Sequence, residues 1–341
     1  MIFSHLLLAW FSNNSRDLAW RKDRNPYFIW LSEIILQQTR VEQGLPYFLK
    51  FIEKYPTVKD LAIANEDEIL KLWQGLGYYS RARNLHFAAQ YIENELDGIF
   101  PKTYKELLLL KGVGEYTAAA IASIAYKEAV PAIDGNVLRV ISRLFNIEEP
   151  VDSSKGKKII KDLMFEIIDK NNPGDFNQAV MELGALVCKP KNPDCNQCPL
   201  QEHCLALANN NVLNLPIKSK KIKIKNRYLN YFLFIDENGF LLEQRTNKDI
   251  WKNLYQFPLI ESEHLSNETK EKWGIEKENL SLKKEIIHKL THQILHIRFF
   301  VSPIPKNYLN NIGAKYYSIN EALEKSIPTP LNNFLKEIGV F

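Results

Sequence analysis

Apolar residues recur every three or four positions along the first part of the chain, which is the spacing of one face of an α-helix. The spacing is clear over 47–52, 61–73 and 85–92, and proline and glycine residues between these runs predict loops. Residues 116–126 are rich in alanine and isoleucine, which predicts a tightly packed, buried helix. We therefore expect residues 1–205 to form a mostly helical domain.

The pattern of apolar residues changes in the last third of the chain. Residues 228–236 form an apolar and aromatic run typical of a β-strand, and the Glu-Asn-Gly that follows predicts a turn. Residues 240–244 are expected to be the hairpin partner of that strand. We expect a linker over 206–225 and a separate α+β domain over 226–341.

A basic segment lies at this junction. Residues 218–227 contain six lysine or arginine residues and no acid. One interpretation is a linker that follows a DNA backbone. The other is an edge strand whose alternating lysines prevent aggregation. The sequence favours both equally.

Composition sets outer limits on the class of protein. With 341 residues, of which 45% are hydrophobic and 25% charged, the chain is typical of a globular protein of two or three domains. No run approaches the roughly 18 unbroken apolar residues of a membrane helix. Residues 2–11 are apolar but lack the flanks of a signal peptide, so we expect them to form the first helix. The net charge of +4 only mildly favours an anionic partner.

All four cysteines lie in one short segment, at Cys188, Cys195, Cys198 and Cys204. A secreted protein stapled by disulfides would scatter its cysteines, so the clustering indicates an intracellular metal site. Four thiolates suit a [4Fe-4S] cluster or a structural zinc ion. A zinc ribbon usually has two C-x-x-C pairs, whereas this chain has one, which favours the cluster. Ligand-free thiols are the remaining alternative.

A glycine-containing turn separates two apolar helical runs. Residues 107–110 and 116–122 flank Lys111, Gly112, Val113 and Gly114. Glycine allows unusual backbone dihedrals, and the free N–H groups at the start of the second helix form an anion site. This predicts a helix-hairpin-helix that grips a DNA phosphate without reading sequence. An ordinary turn between helices explains the same residues as well.

Two carboxylates stand at positions that suggest chemistry. Asp134 immediately precedes the apolar run 137–144, where a helix N-cap is the commonest role for aspartate. A catalytic carboxylate at a helix start is compatible with that role. Glu33 lies in a strongly apolar helical stretch, and burial there would raise its pKa. By itself, a glutamate on the polar face of an amphipathic helix would be the simpler interpretation.

Taken in order along the chain, these segments resemble the MutY family of adenine DNA glycosylases. The resemblance is dense over 1–205 and weaker to the C-terminus. It rests on Trp20-Arg21, the segments 33–40, 75–85, 112–117 and 134–136, and the cysteine spacing. It implies a helix-hairpin-helix glycosylase domain with a six-helix barrel. The hairpin would span about 105–125, and an iron–sulfur module would combine the N-terminus with about 135–205. A C-terminal Nudix-like (MutT-like) α+β domain would follow.

The resemblance also implies catalytic roles. Glu33 would act as general acid on N7 of a flipped-out adenine and then assist the attack of water. Asp134 would stabilise the oxocarbenium-like sugar or form a covalent intermediate, which is the two-carboxylate logic of glycoside cleavage. Tyr116 and Asn136 match positions that support Asp134. Relatives of the endonuclease III type have a lysine where Tyr116 stands, and that lysine forms a Schiff base that leads to strand cleavage. Tyrosine cannot form an imine, so we expect a monofunctional enzyme.

Further residues match DNA-contacting positions of the family. Gln38 and Tyr78 match residues that wedge into the base stack. Trp20, Arg21 and Glu182 match positions that line the adenine pocket. Lys111 stands where the family usually has proline, and adds a candidate phosphate contact to Gly112, Val113 and Gly114.

The C-terminal domain resembles the family's 8-oxoguanine recognition domain. Residues 251–258 resemble its Trp/Leu…Phe-Pro segment, whereas the Nudix hydrolase motif is absent, so nucleotide hydrolysis is not expected. The family's Phe-Ser-His recognition loop is matched here by Leu290, Thr291 and His292. Thr291 keeps a hydroxyl, so we expect Thr291 and His292 to contact the oxidised guanine.

Three histidines, His288, His292 and His296, are spaced four residues apart, which on a helix would form a metal-binding face. Their surroundings predict a strand instead, so a metal site here is disfavoured.

The expected activity is removal of adenine mispaired with 8-oxoguanine or guanine in double-stranded DNA. We expect a monomeric, cytoplasmic and bacterial enzyme associated with the nucleoid, with no membrane partner. The alternatives are an oxidised-pyrimidine glycosylase/lyase and a non-catalytic iron–sulfur protein that binds DNA. A soluble electron carrier is least favoured, because it leaves the hairpin and the carboxylates unexplained.

Overall fold

The computed structural model describes residues 2–219, 224–265, 280–305 and 314–341. These residues form two compact units. The first consists of 2–63 and 84–219, and the second combines 64–83 with the described residues from 224 onward. Across the described residues, no helix is both long and apolar enough to cross a membrane.

The first unit is helical, which confirms the fold expected for the N-terminal part of the chain. Its helices are α1 (Ile2–Asn14), α2 (Pro26–Leu36), α3 (Val41–Lys54), α4 (Val58–Ile63), α6 (Ser80–Glu95), α7 (Tyr104–Leu107), α8 (Glu115–Tyr126), α9 (Gly135–Leu144), α10 (Ser154–Ile167), α11 (Pro173–Leu186) and α12 (Leu205–Ala208). Short 3₁₀ helices cover Ala19–Arg21, Cys195–Gln197 and Gln201–His203. The first turn of α6 belongs to the segment that packs with the second unit.

The apolar run 61–73 is split into two helices instead of forming one. Helix α4 ends at Ile63, and α5 (Glu66–Leu72) begins after Asn65, whose side chain accepts a hydrogen bond from the N–H of Asp67 at 2.8 Å. Asparagine is strongly favoured at this N-cap position because its side chain satisfies a free N–H group. The cap therefore ends one helical pattern and starts another.

The glycine-containing turn joins α7 to α8. Thr103 and Glu106 form a capping box at the start of α7, which fixes where the hairpin begins. Gly112 has a φ of +84°, and a Cβ at this position would lie 2.7 Å from Cβ of Asn84 on α6. Only glycine therefore lets the turn pack this closely on α6. Gly114 is the N-cap of α8 and supplies no side-chain cap, which leaves the first N–H groups of α8 for another acceptor.

Helices α1, α9, α10 and α11 share one apolar core. It includes the side chains of Leu7, Val137, Ile141, Ile160, Met164, Phe176 and Leu183. Helices α9 and α11 approach closely at Gly184, where an added Cβ would lie 2.6 Å from Cβ of Asn136. The core therefore places the start of α9, with Asp134 as its N-cap, beside α11.

The second unit contains two sheets. The four-stranded sheet has the order β4-β1-β6-β5 and the three-stranded sheet has the order β3-β2-β7. The strands are β1 (Lys225–Phe234), β2 (Gly239–Gln244), β3 (Tyr255–Gln256), β4 (Leu259–Glu261), β5 (Ser281–Lys289), β6 (Gln293–Ser302) and β7 (Lys315–Ser318), and the helices after them are α13 (Ile319–Leu323) and α14 (Thr329–Glu337). Strands β1 and β6 are parallel, whereas the other pairs are antiparallel. This confirms the expected α+β class.

Residues 64–83 belong to this second unit. The Nε2 atom of Gln74 donates to the carbonyl oxygen of Ile327 at 2.8 Å, and the Arg83 guanidinium donates to the carbonyl of Lys252 at 2.7 Å. The expected boundaries at 205 and 226 stay a prediction, and they do not account for this non-contiguous packing.

The predicted hairpin between 228–236 and 240–244 is only partly formed. The turn exists, since the N–H of Asp236 donates to the Gly239 carbonyl at 3.0 Å. Strands β1 and β2, however, share a single bridge between Ile235 and Phe240, and then enter different sheets. The hairpin prediction was therefore wrong beyond the turn, because β1 pairs along its whole length with the distant β6.

The basic segment lies partly outside the described residues, which omit Lys220, Lys221 and Lys223. Lys225 and Arg227 lie in β1, where they pair with β6. Strand β4 pairs only with residues 229–231 of β1. The choice between linker and edge strand stays open.

Candidate active site and DNA-binding surfaces

Eight of the predicted site residues line one cavity of about 540 Å³ in the first unit. They come from α2, α8, α9, α11 and the segments that flank them, and are Trp20, Arg21, Glu33, Gln38, Tyr116, Asp134, Asn136 and Glu182. None of the described residues that line this cavity is a lysine. The hairpin residues Gly112, Val113 and Gly114 lie elsewhere in the first unit, and Tyr78, Thr291 and His292 lie in the second unit.

Glu33 projects from the most apolar helix of the first unit. Its neighbours Leu31, Ile34 and Ile35 are buried, while Glu33 itself is half-buried at the cavity wall. Burial raises the pKa of Glu33 to about 7, and the nearby Asp134 carboxylate acts in the same direction. A carboxyl group with this pKa is available as an acid at neutral pH.

Tyr116 stands in the first turn of α8, beside Glu33. Its hydroxyl donates to Sδ of Met181 at 3.3 Å, and its proximity to the Glu33 carboxyl lowers the pKa of that group. Burial raises the pKa of Tyr116 well above its ordinary value. The phenol therefore stays protonated and remains a donor for a carboxylate.

Asp134 is held by two hydrogen bonds. One of its oxygens, Oδ1, accepts from the N–H of Val137 at 2.8 Å, which makes Asp134 the N-cap of α9. The other oxygen, Oδ2, accepts from Nδ2 of Asn136 at 2.8 Å. Burial raises the pKa of Asp134, whereas these two hydrogen bonds lower it by stabilising the carboxylate. The N-cap role and a position in the cavity wall therefore coexist, as expected.

The orientation of Asn136 depends on a residue that the sequence did not single out. Arg139 is buried, and its Nη2 atom donates to Oδ1 of Asn136 at 2.8 Å and to the carbonyl oxygen of Gly184 at 2.7 Å. Its Nε atom donates to the carbonyl of Cys188 at 2.7 Å. An arginine three residues after Asn136 on an amphipathic helix gives no signal of such a role, because the contact depends on α11.

Glu182 is buried and binds two arginines. One of them, Arg16, is a second residue that the sequence did not single out. Both Glu182 oxygens accept from Arg16, at 2.8 and 2.9 Å from its side chain, and Arg21 donates to Oε2 at 2.9 Å. Burial acts to raise the pKa of Glu182, but the hydrogen bonds from Arg16 and Arg21 outweigh it and lower the pKa to about 2. Glu182 is therefore an ionised acceptor that lines the same cavity as Glu33.

The four cysteines surround one small cavity, together with the buried Arg143. The Arg143 guanidinium donates to Sγ of Cys188 at 3.3 Å and to the carbonyl of Lys189 at 2.8 Å. Within the described residues, no three side chains of His, Cys, Asp or Glu converge as they would on one metal ion. Four thiols around one cavity supply the ligand set of an iron–sulfur cluster, and structural zinc takes the same set.

Three family models match the chain. Residues 31–165 match the HhH-GPD superfamily base excision DNA repair protein, residues 188–204 match the iron–sulfur binding domain of endonuclease III, and residues 230–337 match a NUDIX domain. The adenine DNA glycosylase of Buchnera aphidicola subsp. Schizaphis graminum is 36% identical over 98% of this chain and 98% of its own length. The chain belongs to the adenine DNA glycosylase family.

Other relatives cover about three fifths of the chain. The human adenine DNA glycosylase is 45% identical over 60% of this chain and 39% of its own length. A thermostable thymine-DNA glycosylase covers 61% of this chain with a TM-score of 0.57 and 29% identity, and 96% of that structure is matched. A non-covalent endonuclease III–DNA complex covers 61% of this chain and 95% of its own, with a TM-score of 0.53 and 25% identity. The chain is thus a DNA-binding base-excision enzyme, and it carries a [4Fe-4S] cluster, for which the four cysteines are the fitting ligands.

The two residues predicted to wedge into the base stack share an unusual backbone conformation. Gln38 has a φ of +57° and Tyr78 a φ of +48°, both in the left-handed region that non-glycine residues rarely adopt. Gln38 follows α2 and lines the cavity. Such strain persists where the surrounding structure holds it, and it is common at functional sites.

Thr291 and His292 form the exposed tip of the β5–β6 hairpin. The tip is closed by a hydrogen bond from the N–H of Leu290 to the carbonyl of Gln293 at 2.8 Å. The Thr291 hydroxyl is hydrogen-bonded to the hydroxyl of Tyr78, within the same unit. Tyr78 and Thr291, two predicted DNA-contacting residues that are far apart in sequence, therefore meet at the tip of the β5–β6 hairpin.

The strand interpretation of the three histidines is confirmed. His288 lies in β5 beside Trp251, and His296 lies in β6, stacked on Tyr228 with ring centroids 4.7 Å apart. His292 stands between them at the tip.

Proposed function

We propose that this enzyme removes adenine mispaired with 8-oxoguanine or guanine, by hydrolysis of the N-glycosidic bond and without cutting the strand. The observation that carries the proposal is the pair of carboxylates in one cavity. Burial raises the pKa of both groups, that of Glu33 to about 7, whereas hydrogen bonds from Val137 and Asn136 counter the effect of burial at Asp134. Two carboxyl groups that are held so differently in one site suit an acid and an anion, with Glu33 as the acid.

The first step assigned to this geometry is departure of the base. The flipped adenine enters the cavity, and Glu33 donates its proton to N7. The C1′–N9 bond then breaks and its electron pair leaves with adenine. Positive charge develops on the sugar, where the Asp134 carboxylate, fixed by Val137 and Asn136, stabilises it electrostatically. Water then attacks C1′ and transfers a proton to the ionised Glu33.

The remaining cavity residues bind and orient the base. Ionised Glu182, fixed by Arg16 and Arg21, offers acceptors to the exocyclic amino group of adenine. Trp20 is buried and packs edge-on against Phe48, so it supplies a rigid apolar wall. Tyr116 lowers the pKa of Glu33 and so favours its ionised form between proton transfers.

Monofunctional chemistry is supported by the composition of the cavity. A β-lyase needs an amine that attacks C1′, and the described lining residues include no lysine. The polar residue that α8 contributes to this cavity is Tyr116, whose hydroxyl cannot form an imine. An abasic site is therefore the expected product.

The test is single-turnover cleavage of end-labelled duplexes that contain adenine opposite 8-oxoguanine, guanine or thymine. Strand breaks that appear only after hot alkali, fastest opposite 8-oxoguanine and absent opposite thymine, are the expected result. Breaks without alkali that are absent in Glu33→Gln would refute the monofunctional mechanism. Equal rates opposite all three bases would refute the mispair specificity and leave the glycosylase activity intact.

A further inference from the structure

Lys111 and Phe87 form a cation–π pair on the surface of the helix-hairpin-helix, outside the cavity that contains Glu33 and Asp134. The Nζ atom of Lys111 lies 4.1 Å from the ring centroid of Phe87, so the ammonium sits over the face of the ring. Phe87 is 50% exposed, and Lys111 is also exposed. A half-exposed phenylalanine beside a DNA-binding hairpin is not explained by the apolar core.

The local fold places the ring next to the hairpin. Asn84 and Phe87 are three residues apart on α6 and therefore share a face of that helix. The turn packs against this face at Asn84, which lies so close to Gly112 that a side chain at position 112 would not fit. Lys111 directly precedes Gly112, so its side chain starts beside the Phe87 ring.

We propose that Lys111 binds a DNA phosphate and that the Phe87 ring is the positioning residue that presents its ammonium group. This proposal rests on DNA binding by the helix-hairpin-helix. It assigns to this chain a contact that proline, the residue usual at this place, cannot make. The hairpin would then hold a phosphate through both backbone N–H groups of α8 and a side-chain charge.

The electrostatics of the hairpin favour this assignment. The N-terminus of α8 carries free N–H groups and a partial positive charge, which a neighbouring ammonium reinforces for an anion. The acid closest in sequence, Glu115, has its carboxylate 3.5 Å from Nζ of Lys161, which offsets its charge. A ring covers only one side of an ammonium group, so the other N–H bonds of Lys111 stay available for a phosphate.

Contact with the Phe87 ring also reduces the conformational entropy that the Lys111 side chain loses when it binds DNA. A free lysine side chain loses much rotamer freedom when it is fixed on a phosphate. The contact with Phe87 restricts Lys111 before DNA arrives, so less freedom is lost in the complex. The expected contribution of the ring is a two- to fivefold gain in affinity, which corresponds to an exposed cation–π contact.

The test is a double-mutant cycle on DNA binding by the full-length, cluster-loaded enzyme. The probe is a short undamaged duplex, titrated at several salt concentrations. Lys111→Ala is expected to lower the slope of log K against log salt by about 0.9, the value of one phosphate contact. Phe87→Leu is expected to weaken binding two- to fivefold when Lys111 is present and to have no effect in the Lys111→Ala background.

Controls separate this result from general effects of charge or folding. Lys105→Ala removes an exposed lysine from α7 of the same hairpin and is expected to change the slope less than Lys111→Ala. Phe87→Trp keeps a ring face and is expected to keep the wild-type affinity. Each variant is checked for its thermal midpoint and for the visible absorbance of the cluster.

Three outcomes would overturn the inference. An unchanged salt slope in Lys111→Ala would show that this lysine meets no phosphate. Equal losses from Phe87→Leu in both backgrounds would show that the ring does not act through Lys111. A loss in Phe87→Trp as large as that in Phe87→Leu would show that packing, not the ring face, is responsible. Failure of the wild-type enzyme to bind DNA would instead refute the proposed function.

Discussion

The cavity that contains Glu33 and Asp134 and the tip of the β5–β6 hairpin are built in different ways, although both are proposed to act on one mispair. In the cavity, Asp134 accepts two hydrogen bonds and Glu182 is gripped by two arginines. At the tip, Thr291 and His292 are exposed, and the partner of Thr291 is a tyrosine that is itself 43% exposed. The cavity is thus organised before DNA arrives, whereas the tip presents groups that DNA must complete.

This difference follows from the two tasks. Stabilising a developing charge requires dipoles that are already fixed, because reorganising them during the reaction raises the barrier. Recognition of a base edge requires donors and acceptors that are exposed until the base replaces water. We therefore expect cavity substitutions to change the rate of excision and tip substitutions to change the choice of substrate.

A buried arginine–carboxylate network does not by itself identify a catalytic site. The second unit contains one as well, in which Arg227 donates to Asp249 and Glu261 at 2.6–2.8 Å. That network joins strands β1 and β4 and the loop that carries Asp249, and none of its members lines the catalytic cavity. The network around Glu182 differs because it faces open space that a base can fill.

The largest expected effect is that of Glu33→Gln. Glutamine keeps the shape of the side chain but has no proton to donate, so single-turnover excision is expected to fall by about 10²–10⁴-fold. Binding of the mispaired duplex is expected to be unchanged. Glu166→Gln, an exposed substitution on α10, is the matched control. A loss of less than tenfold would remove Glu33 from the role of acid.

The next effect separates the two roles of Asp134. Asparagine can still cap α9 but carries no charge and loses the oxygen that accepts from Asn136, so Asp134→Asn is expected to slow excision by about 10²–10³-fold with a small loss of stability. Asp134→Ala also loses the cap on Val137, so it is expected to lower the free energy of unfolding by about 1 kcal/mol as well. The measurements are single-turnover rates and urea unfolding. Wild-type rates in Asp134→Asn would leave only the capping role.

The pH dependence of excision should follow Glu33. Burial raises the pKa of Glu33 to about 7, so the acid form dominates at pH 6 and the ionised form at pH 8. The excision rate is expected to be level below pH 6 and to fall about tenfold per pH unit well above 7. A rate that rises through pH 7 would contradict an acid role for this group.

Stability gives an independent check of the same pKa. The ordinary pKa of this group is 4.5, so the folded state binds more protons than the unfolded state between pH 4.5 and 7. The free energy of unfolding should therefore fall as pH rises through that window. Because Glu33 is partly exposed, we expect Glu33→Gln to be more stable than wild type by only about 1 kcal/mol at pH 8, with no difference at pH 4.

The sequence was informative where a local pattern coincided with the function. The alanine-rich run 116–126 is a buried helix, and Asp134 is an N-cap, because both features depend on neighbours within one turn. The eight cavity residues were found through motif resemblance, since nothing local brings Glu33 near Asp134. The structure adds the cavity that joins them.

Long-range packing explains what the sequence did not reveal. Arg16 and Arg139 act through α11, more than 40 residues away in each case, and an arginine on a helix gives no local sign of such a partner. Strand β2 was expected to pair with β1 and instead pairs with β3 and β7, because a hairpin signal describes the turn and not the sheet. The packing of 64–83 with the second unit has the same origin.

A smaller effect is expected at the tip of the β5–β6 hairpin. It changes the preference for 8-oxoguanine over guanine and not the rate of excision. The N7 position of guanine is an acceptor, whereas in 8-oxoguanine it carries a hydrogen and is a donor. The Thr291 hydroxyl shares a hydrogen bond with the Tyr78 hydroxyl and retains a lone pair that can accept from that N–H group. Thr291→Ala is therefore expected to reduce the preference for 8-oxoguanine over guanine about tenfold. Its measurement is the ratio of Kd values for the two uncleaved duplexes in the Glu33→Gln background.

The smallest effect is expected for Tyr78→Phe, which keeps the ring that stacks in DNA and removes only the hydroxyl partner of Thr291. Either hydroxyl can be the donor in this bond, and where Thr291 donates, loss of its partner frees the Thr291 proton for guanine N7. The preference should fall about fivefold, mainly because binding of the guanine duplex improves, in line with about 1 kcal/mol for one hydrogen bond. Adding Thr291→Ala should remove that improvement, since no hydroxyl is left to donate. Equal weakening of both duplexes by Tyr78→Phe would show that the hydroxyl contacts DNA directly and does not set the polarity of Thr291.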